Sequence, residues 1–240
     1  MSRPDTAMVM AAGLGTRMRP LTDHRPKPLI EVAGKALIDH MLDRAVAAGV
    51  TRAVVNVHYL ADMIEAHLAR RAAPRITISD ERGERLETGG GLAKAAPLLG
   101  DKPFFVLNTD QIWTENAKPA LEALGDAFDA ARMDVMMLLA PRADCLGFHG
   151  PGDFFMGSDG ALSWRGEAGE APWVYAGAYI LHPRLLAGWP AQSFSALEIW
   201  RPAVAAGRFF GMALDGYWMH VGDPAARDAA EARLAGAAAA

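Results

Sequence analysis

The chain has a single cysteine, Cys145, in 240 residues. One thiol cannot form an internal disulfide, so the composition points to a reducing compartment, and Cys145 itself reads as a small buried hydrophobe. The first residues, MSRPDTAMVMAAG, contain no apolar run of the kind a secretory signal needs. No stretch approaches the ~20 apolar residues of a membrane span. Positive charge is also scarce: 24 Lys and Arg stand against 28 Asp and Glu, a net charge of -4. That balance gives no reason to expect nucleic acid or an anionic membrane as a partner. Lysine is missing altogether from residues 119 to 240, and there is no internal repeat. The expectation is a cytoplasmic protein acting on small molecules, as a monomer or weak homodimer.

What is present is a globular composition, 51% hydrophobic, in a chain long enough for one large α/β domain. Apolar runs mark strands at 7–11, 53–57, 75–79, 104–107 and 134–139, and helical spacing covers 36–49 and 60–71. In the first helix Ile38, Met41, Leu42, Ala45 and Val46 share a face, with Gly49 as the stop. The alternation predicts a Rossmann-like, mostly parallel sheet with helices on both faces. It breaks down after residue 140. Residues 141–177 read as loops and short antiparallel strands, a β-rich lobe inserted on the core. Strand character returns at Trp173–Leu181, a helix at Ser195–Ala206 and a final β element at Phe209–Met219. Asp223 as N-cap and Pro224 at the first helical position start a C-terminal helix through Leu234. The Ala-rich tail, Ala235–Ala240, reads as a frayed end. The division expected within one domain is an αβ core over about 1–140, a substrate-binding lobe with the last core strands over about 141–220, and a helix and tail over 223–240.

The most informative stretch is MVMAAGLGTRMRPLTDHRPKPL, residues 8–29. A strand ending in small residues, Ala11, Ala12, Gly13 and Gly15, gathers backbone N–H groups at one point, where phosphate oxygens can be held. Arg17 and Lys27 add full charge, and Lys27 is framed by Pro26 and Pro28. The turn imitates half of a dinucleotide fingerprint, but Met18 stands where the third glycine belongs, and there is no Gly-Lys-Ser/Thr closure of a Walker loop. A pyrophosphate on a helix N-terminus needs no Arg plus Lys pair; a nucleoside triphosphate does.

Asp110 ends the strand Phe104–Leu107, at the carboxyl edge where open α/β sheets bind ligands, and Asn108 shares its face. A carboxylate there can hold Mg²⁺ while phosphates and waters complete the octahedron.

Residues 11–22 together with Pro26-Lys27-Pro28-Leu29 resemble the signature of sugar-1-phosphate nucleotidyltransferases, and the chain is most similar to the bacterial N-acetylmuramate-1-phosphate uridylyltransferases of cell-wall recycling. Glu87-Thr88-Gly89-Gly90-Gly91, Leu107–Asp110, Gly152-Asp153-Phe154, Tyr175-Ala176-Gly177 and Trp218–Gly222 carry the resemblance along the rest of the chain. It implies a nucleotidyltransferase fold and transfer of a nucleotidyl group, UTP favoured, to a sugar-1-phosphate. Arg17, Lys27 and Asp110 are then the catalytic residues. The nucleotide is expected on Ala11, Ala12, Gly13, Gly15, Thr16, Arg17, Lys27, Glu87, Thr88, Gly89, Gly90 and Asn108. The sugar is expected on Gly152, Asp153, Tyr175 and Gly177. The Glu87–Gly91 segment is expected to form a loop that enters a helix, Leu92–Leu99, and to read uracil together with Ala11–Gly13.

Two departures stand out. The family's second metal carboxylate comes from Trp-X-Asp-Val/Ile-Gly-Thr, whereas this chain reads Trp218-Met219-His220-Val221-Gly222-Asp223. With Asp110 and His220 as ligands the cofactor is Mg²⁺, or Mn²⁺ or Co²⁺, since imidazole suits the softer ions better. Asp223 acting through water, or a catalytically weakened site, are the alternatives. The family's sugar-phosphate lysine has no counterpart among residues 119–240, and Arg165 is the residue expected to serve in its place. Competing functions are a mannose-1-phosphate guanylyltransferase, a nucleotide-binding pseudoenzyme and a nicotinamide-dependent oxidoreductase.

Overall fold

In the computed structural model, which describes residues 3–238, the expected alternation closes into one large mixed sheet. Strands β1 (Thr6–Met10), β2 (Glu31–Val32), β3 (Lys35–Ala36), β4 (Arg52–Val57), β5 (Arg75–Asp80) and β6 (Phe104–Asn108) precede β7 (Gln111–Trp113), β8 (Val135–Pro141) and β9 (Cys145–Leu146). The hairpin β10 (Phe154–Met156) and β11 (Leu162–Trp164), then β12 (Trp173–Leu181), β13 (Phe209–Ala213) and β14 (Trp218–His220), complete the strands. The helices are α1 (Leu37–Ala47), α2 (Ala61–Leu68), α3 (Glu87–Leu99), α4 (Ala120–Ala127), α5 (Ala196–Ala205) and α6 (Pro224–Ala238).

Parallel strands run β5-β4-β1-β6, β12 follows antiparallel to β6, and β8 and β13 complete the sheet on its other side. The chain steps from β1 outward to β4 and β5, then returns to the opposite flank of β1 as β6. The strand order therefore reverses between β1 and β6, and a crevice opens at their carboxyl ends. Alternate side chains of each strand feed two cores. Ala7, Val9 and Val55 meet Ile38, Met41 and Leu42 of α1 and Ile64 of α2, while Met8, Val54 and Val106 meet Leu92 and Ala95 of α3 and Ile199 of α5. A third, smaller core joins Met18, Ile112, Met219, Val221 and Ala230. It clamps the glycine-rich turn, β7, β14 and α6 together, and so fixes that turn relative to Asp110 and His220.

Four expectations are corrected. Residues 209–219 are not one β element: β13 joins the main sheet, whereas β14 pairs with β7 and β9 in a separate three-stranded sheet. The helix expected over 60–71 ends at Leu68. Val46, placed on the buried face of α1, is exposed. The C-terminal helix runs past Leu234 to Ala238, with Asp223 Oδ1 accepting the Ala226 N–H at 2.8 Å as an N-cap; residues 239–240 of the tail lie outside the described residues. The inserted lobe is continuous with the core, because β10 pairs with β12 through Phe154 and Trp173.

Candidate active site

The strand ends at the crevice bring polar groups together. Ala11, just beyond β1, donates its N–H to Asn56 Oδ1 at 2.8 Å, and Asn56 Nδ2 donates to Glu81 Oε1 at 2.8 Å. Asn56 and Glu81 are each 1% exposed. Burial pushes the Glu81 carboxyl above the usual glutamate range, against the lowering effect of the Asn56 bond. Neither residue was anticipated from sequence. Their signal was a polar side chain at the end of each of two consecutive apolar strands, 25 residues apart.

The glycine-rich turn is held from below. Gly15 has φ +64°, and an added Cβ would lie 3.0 Å from both Lys27 Cβ and Thr22 Cγ2. Buried Thr22 donates its hydroxyl to Gly15 O at 2.8 Å. Thr16 and Arg17 begin a short 3₁₀ turn, and the Arg17 side chain is exposed, with no hydrogen bond or ion pair among the described residues. Lys27 leads a second 3₁₀ turn, Lys27–Leu29, and its Nζ donates to Asp110 Oδ2 at 2.7 Å. Gln111 Nε2 donates to the other oxygen, Asp110 Oδ1, at 2.8 Å. Burial alone would raise the Asp110 carboxyl; His220 and the Lys27 ammonium outweigh it and hold the group well below the usual aspartate range.

His220 is carried to Asp110 by β14, which pairs His220 with Gln111, while Val221 N–H donates to Asp110 O at 2.9 Å. Its Nδ1 lies 3.2 Å from Gly147 O, and a carbonyl can only accept, so Nδ1 is the donor in this contact. Nε2 then points at Asp110 Oδ2, 3.6 Å away. Gly147 and Gly222 make room for the residue. A Cβ on the first would lie 2.1 Å from His220 O, and on the second 2.8 Å from His220 Cε1. A carboxylate oxygen and an imidazole nitrogen oriented by a backbone carbonyl suit a divalent cation. Among the described residues no three acidic, His or Cys side chains cluster at a metal-binding spacing. Such a cation would therefore need oxygens from a phosphate substrate, as is usual for Mg²⁺.

The segment expected to be a loop, Glu87–Gly91, is instead the start of α3. Its glycines are dictated by packing. A Cβ on Gly89 would lie 2.5 Å from the Phe194 ring, on Gly90 1.9 Å from Gln192 O, and on Gly91 2.9 Å from Asn56 Nδ2 and Glu81 Oε1. The N–H groups of Gly89 and Gly90 both donate to Phe194 O, and Thr88 Oγ1 accepts from Ala196 N at 2.9 Å. Glu87 stays exposed at φ +58°.

A cleft of ≈ 330 Å³ runs over these strand ends, bounded by Ala12, Gly13, Lys27, Glu87, Thr88, Asn108 and Asp110, with Asn56, Glu81 and Arg85 in its wall. A smaller cavity of ≈ 100 Å³ adjoins it, sharing Met10, Thr88 and Asn108. That cavity in turn shares Tyr175, Leu197 and Trp200 with a third, of ≈ 370 Å³, which contains Gly152, Asp153 and Arg165. Asp153 Oδ2 accepts the Tyr175 N–H at 2.9 Å, and burial raises its carboxyl. The Tyr175 hydroxyl is buried without a hydrogen-bond partner among the described residues. Gly152, at φ +83°, lets the chain pass Ala171 O, which an added Cβ would approach to 2.1 Å. Gly177 faces Gln111: at φ +87°, its Cβ would lie 2.1 Å from Gln111 Cγ. Its place in the fold is thus explained by support of the residue that holds Asp110. Of the expected residues, Ala12, Gly13, Lys27, Glu87, Thr88, Asn108, Asp110, Gly152, Asp153 and Tyr175 line this trough, whereas Ala11, Gly15, Thr16, Arg17, Gly89, Gly90, Gly177 and His220 lie outside its lining.

The nucleotidyl transferase family model matches residues 6–148. The chain belongs to the nucleotidyl transferase family. It is 57% identical to the N-acetylmuramate alpha-1-phosphate uridylyltransferase of Caulobacter vibrioides, over 97% of this chain and 98% of that protein. It is 35% identical to the enzyme of the same name from Neisseria meningitidis serogroup B, over 96% and 98%. Among solved structures it is similar to HddC from Yersinia pseudotuberculosis, with a TM-score of 0.76 at 21% identity over 98% of this chain and 100% of that one. As a nucleotidyl transferase the chain has the expected fold, a mostly parallel sheet between helices. Among the described residues no helix is long and apolar enough to cross a membrane.

Proposed function

We propose that the protein transfers the uridylyl group of UTP to N-acetylmuramate-1-phosphate, releasing pyrophosphate and forming UDP-N-acetylmuramate. The observation that carries this reading is the 57% identity, across nearly both full lengths, to a uridylyltransferase of that name. The trough supports it, since its two larger cavities, joined by the smaller one, match a nucleotide and a sugar placed end to end.

A phosphate oxygen of the sugar-1-phosphate attacks the α-phosphorus of UTP. The bond from that phosphorus to the α,β-bridging oxygen breaks, and its electron pair leaves with pyrophosphate. A phosphomonoester dianion is already a competent nucleophile, so no side chain has to remove a proton. The protein's task is alignment and charge neutralisation. Backbone N–H groups of the Ala12–Thr16 turn and the Arg17 guanidinium hold the β- and γ-phosphates. Lys27, anchored beside Asp110, meets the α-phosphate, where negative charge builds in the transition state. Uracil and ribose lie between Ala12-Gly13 and Glu87-Thr88, with Asn56 and Glu81 bracing the wall behind them and Asn108 facing the cleft. The sugar rests against Gly152, Asp153 and Tyr175. Asp110 and His220 would hold a divalent cation, Mg²⁺, Mn²⁺ or Co²⁺, which when bound neutralises phosphate charge. The setting is cytoplasmic recycling of peptidoglycan sugars, with neither nucleic acid nor membrane as partner and a monomer or weak homodimer as the working unit.

The test is to incubate the purified protein with UTP, N-acetylmuramate-1-phosphate and each cation in turn, and to follow pyrophosphate release with mass detection of UDP-N-acetylmuramate. Release with none of the three cations would remove the proposal.

A further inference from the structure

The sugar cavity contains a cation, Arg165, with no ion-pair partner among the described residues. Arg165 follows β11 and is half-buried. Its Nε donates to Gly152 O at 3.1 Å and its Nη1 to Ala168 O at 2.7 Å, while its backbone N–H donates to Asp153 O at 2.9 Å. The two carbonyls fix the guanidinium plane and leave Nη2 without a hydrogen bond among the described residues. Among the described residues no carboxylate forms an ion pair with its guanidinium; the Asp153 carboxylate feels that charge without pairing with it. Phe154, Trp164, Leu197 and Trp200 supply much of the remaining wall. A held guanidinium with one free edge, in an aromatic cavity, is suited to an anion that arrives with the ligand.

The sugar phosphate is not that anion. It must reach the α-phosphorus beside Lys27 and Asp110, which border the first cleft, whereas Arg165 borders only the sugar cavity. The small cavity over Met10, Asn108 and Tyr175 lies between them. This sets aside the expectation that Arg165 replaces the missing phosphate lysine. We infer that Arg165 is a specificity residue for sugars bearing a carboxylate, and that it binds the lactyl carboxylate of N-acetylmuramate-1-phosphate while the aromatic wall takes the lactyl and acetyl methyl groups. The inference rests on the proposed substrate and goes beyond it by naming the group that distinguishes that sugar from its neutral parent.

The experiment compares N-acetylmuramate-1-phosphate with N-acetylglucosamine-1-phosphate, which is the same sugar without the lactyl acid, in the wild type, Arg165→Gln and Arg165→Lys. The readout is the ratio of the two kcat/KM values. Glutamine keeps donors for the local carbonyls and removes the charge, so the ratio should fall about 30-fold, mainly through KM for the acidic sugar. Lysine keeps the charge and should retain most of the ratio. Calorimetric binding of UDP-N-acetylmuramate against UDP-N-acetylglucosamine reads the same discrimination without turnover, and so covers a variant too slow to assay. An unchanged preference in Arg165→Gln, in an enzyme whose wild type uses the acidic sugar, overturns the role of Arg165 alone. A wild type inert towards that sugar overturns the substrate assignment and the role of Arg165 together.

Discussion

Lys27 Nζ lies 2.7 Å from Asp110 Oδ2, so the ammonium proposed for the α-phosphate and the carboxylate proposed for the cation are direct neighbours. Charge gained by the α-phosphate therefore develops next to Lys27. Lys27→Ala should lower kcat/KM by roughly 10²-fold or more, the scale of a lost transition-state contact. The far-UV circular dichroism should stay unchanged, because Lys27 is outside all three cores. Turnover close to wild type in this variant would exclude Lys27 from the reaction.

Support for Asp110 comes from further away than its own strand. Gly177 leaves space for Gln111, and Gln111 holds Asp110 Oδ1 at 2.8 Å. Gly177→Ala adds a methyl where 2.1 Å is available and forces alanine to φ +87°, so it should cost about 2–4 kcal/mol in urea unfolding. The displaced Gln111 should also weaken turnover at temperatures where the variant is still folded. Wild-type stability and activity together would show that Gln111 does not position Asp110.

The glycine-rich turn and the place of Asp110 beyond a strand end were legible in the sequence because their signals are local: small residues after an apolar run, a framed lysine, a carboxylate at a strand end. The α3 start was not legible. Three consecutive glycines argue against helix by propensity, and only the close approach of Gln192 and Phe194, about a hundred residues later, makes glycine the residue that fits. The Asn56–Glu81 pair escaped for the same reason, since each is unremarkable alone and gains meaning from parallel register between β4 and β5. The break between β13 and β14 hides in a run of apolar residues that continues through Leu214 and resumes at Tyr217.

Glu81 gives a pH signature. Its folded-state carboxyl is raised by burial, so over the interval from the ordinary glutamate value up to the raised one the native state binds more proton than the unfolded chain. Stability contributed by this group therefore falls as pH rises through that interval. Glu81→Gln keeps an acceptor for Asn56 Nδ2 and has no charge to bury. Denaturant midpoints of the variant should gain on those of the wild type as pH is raised from acid towards neutrality. A difference that stays constant with pH would mean that Glu81 titrates normally.

His220 predicts a metal preference. With imidazole Nε2 beside Asp110, Mn²⁺ or Co²⁺ should support faster turnover than Mg²⁺ at equal concentration. His220→Asp should raise the Mg²⁺-dependent rate, and Mn²⁺ binding followed by electron paramagnetic resonance in the presence of UTP should weaken relative to Mg²⁺. An identical cation order in both proteins would place His220 outside the coordination shell.

Uridylyl transfer to N-acetylmuramate-1-phosphate is tested most directly by competition. Equal concentrations of UTP, GTP, CTP and ATP are mixed with equal concentrations of N-acetylmuramate-1-phosphate, N-acetylglucosamine-1-phosphate and mannose-1-phosphate, and the nucleotide sugars formed are resolved by mass spectrometry. UDP-N-acetylmuramate should be the dominant product at early times with at least one of Mg²⁺, Mn²⁺ and Co²⁺. Dominant GDP-mannose, or nucleotide binding with no nucleotide sugar formed under any of the three cations, would contradict it.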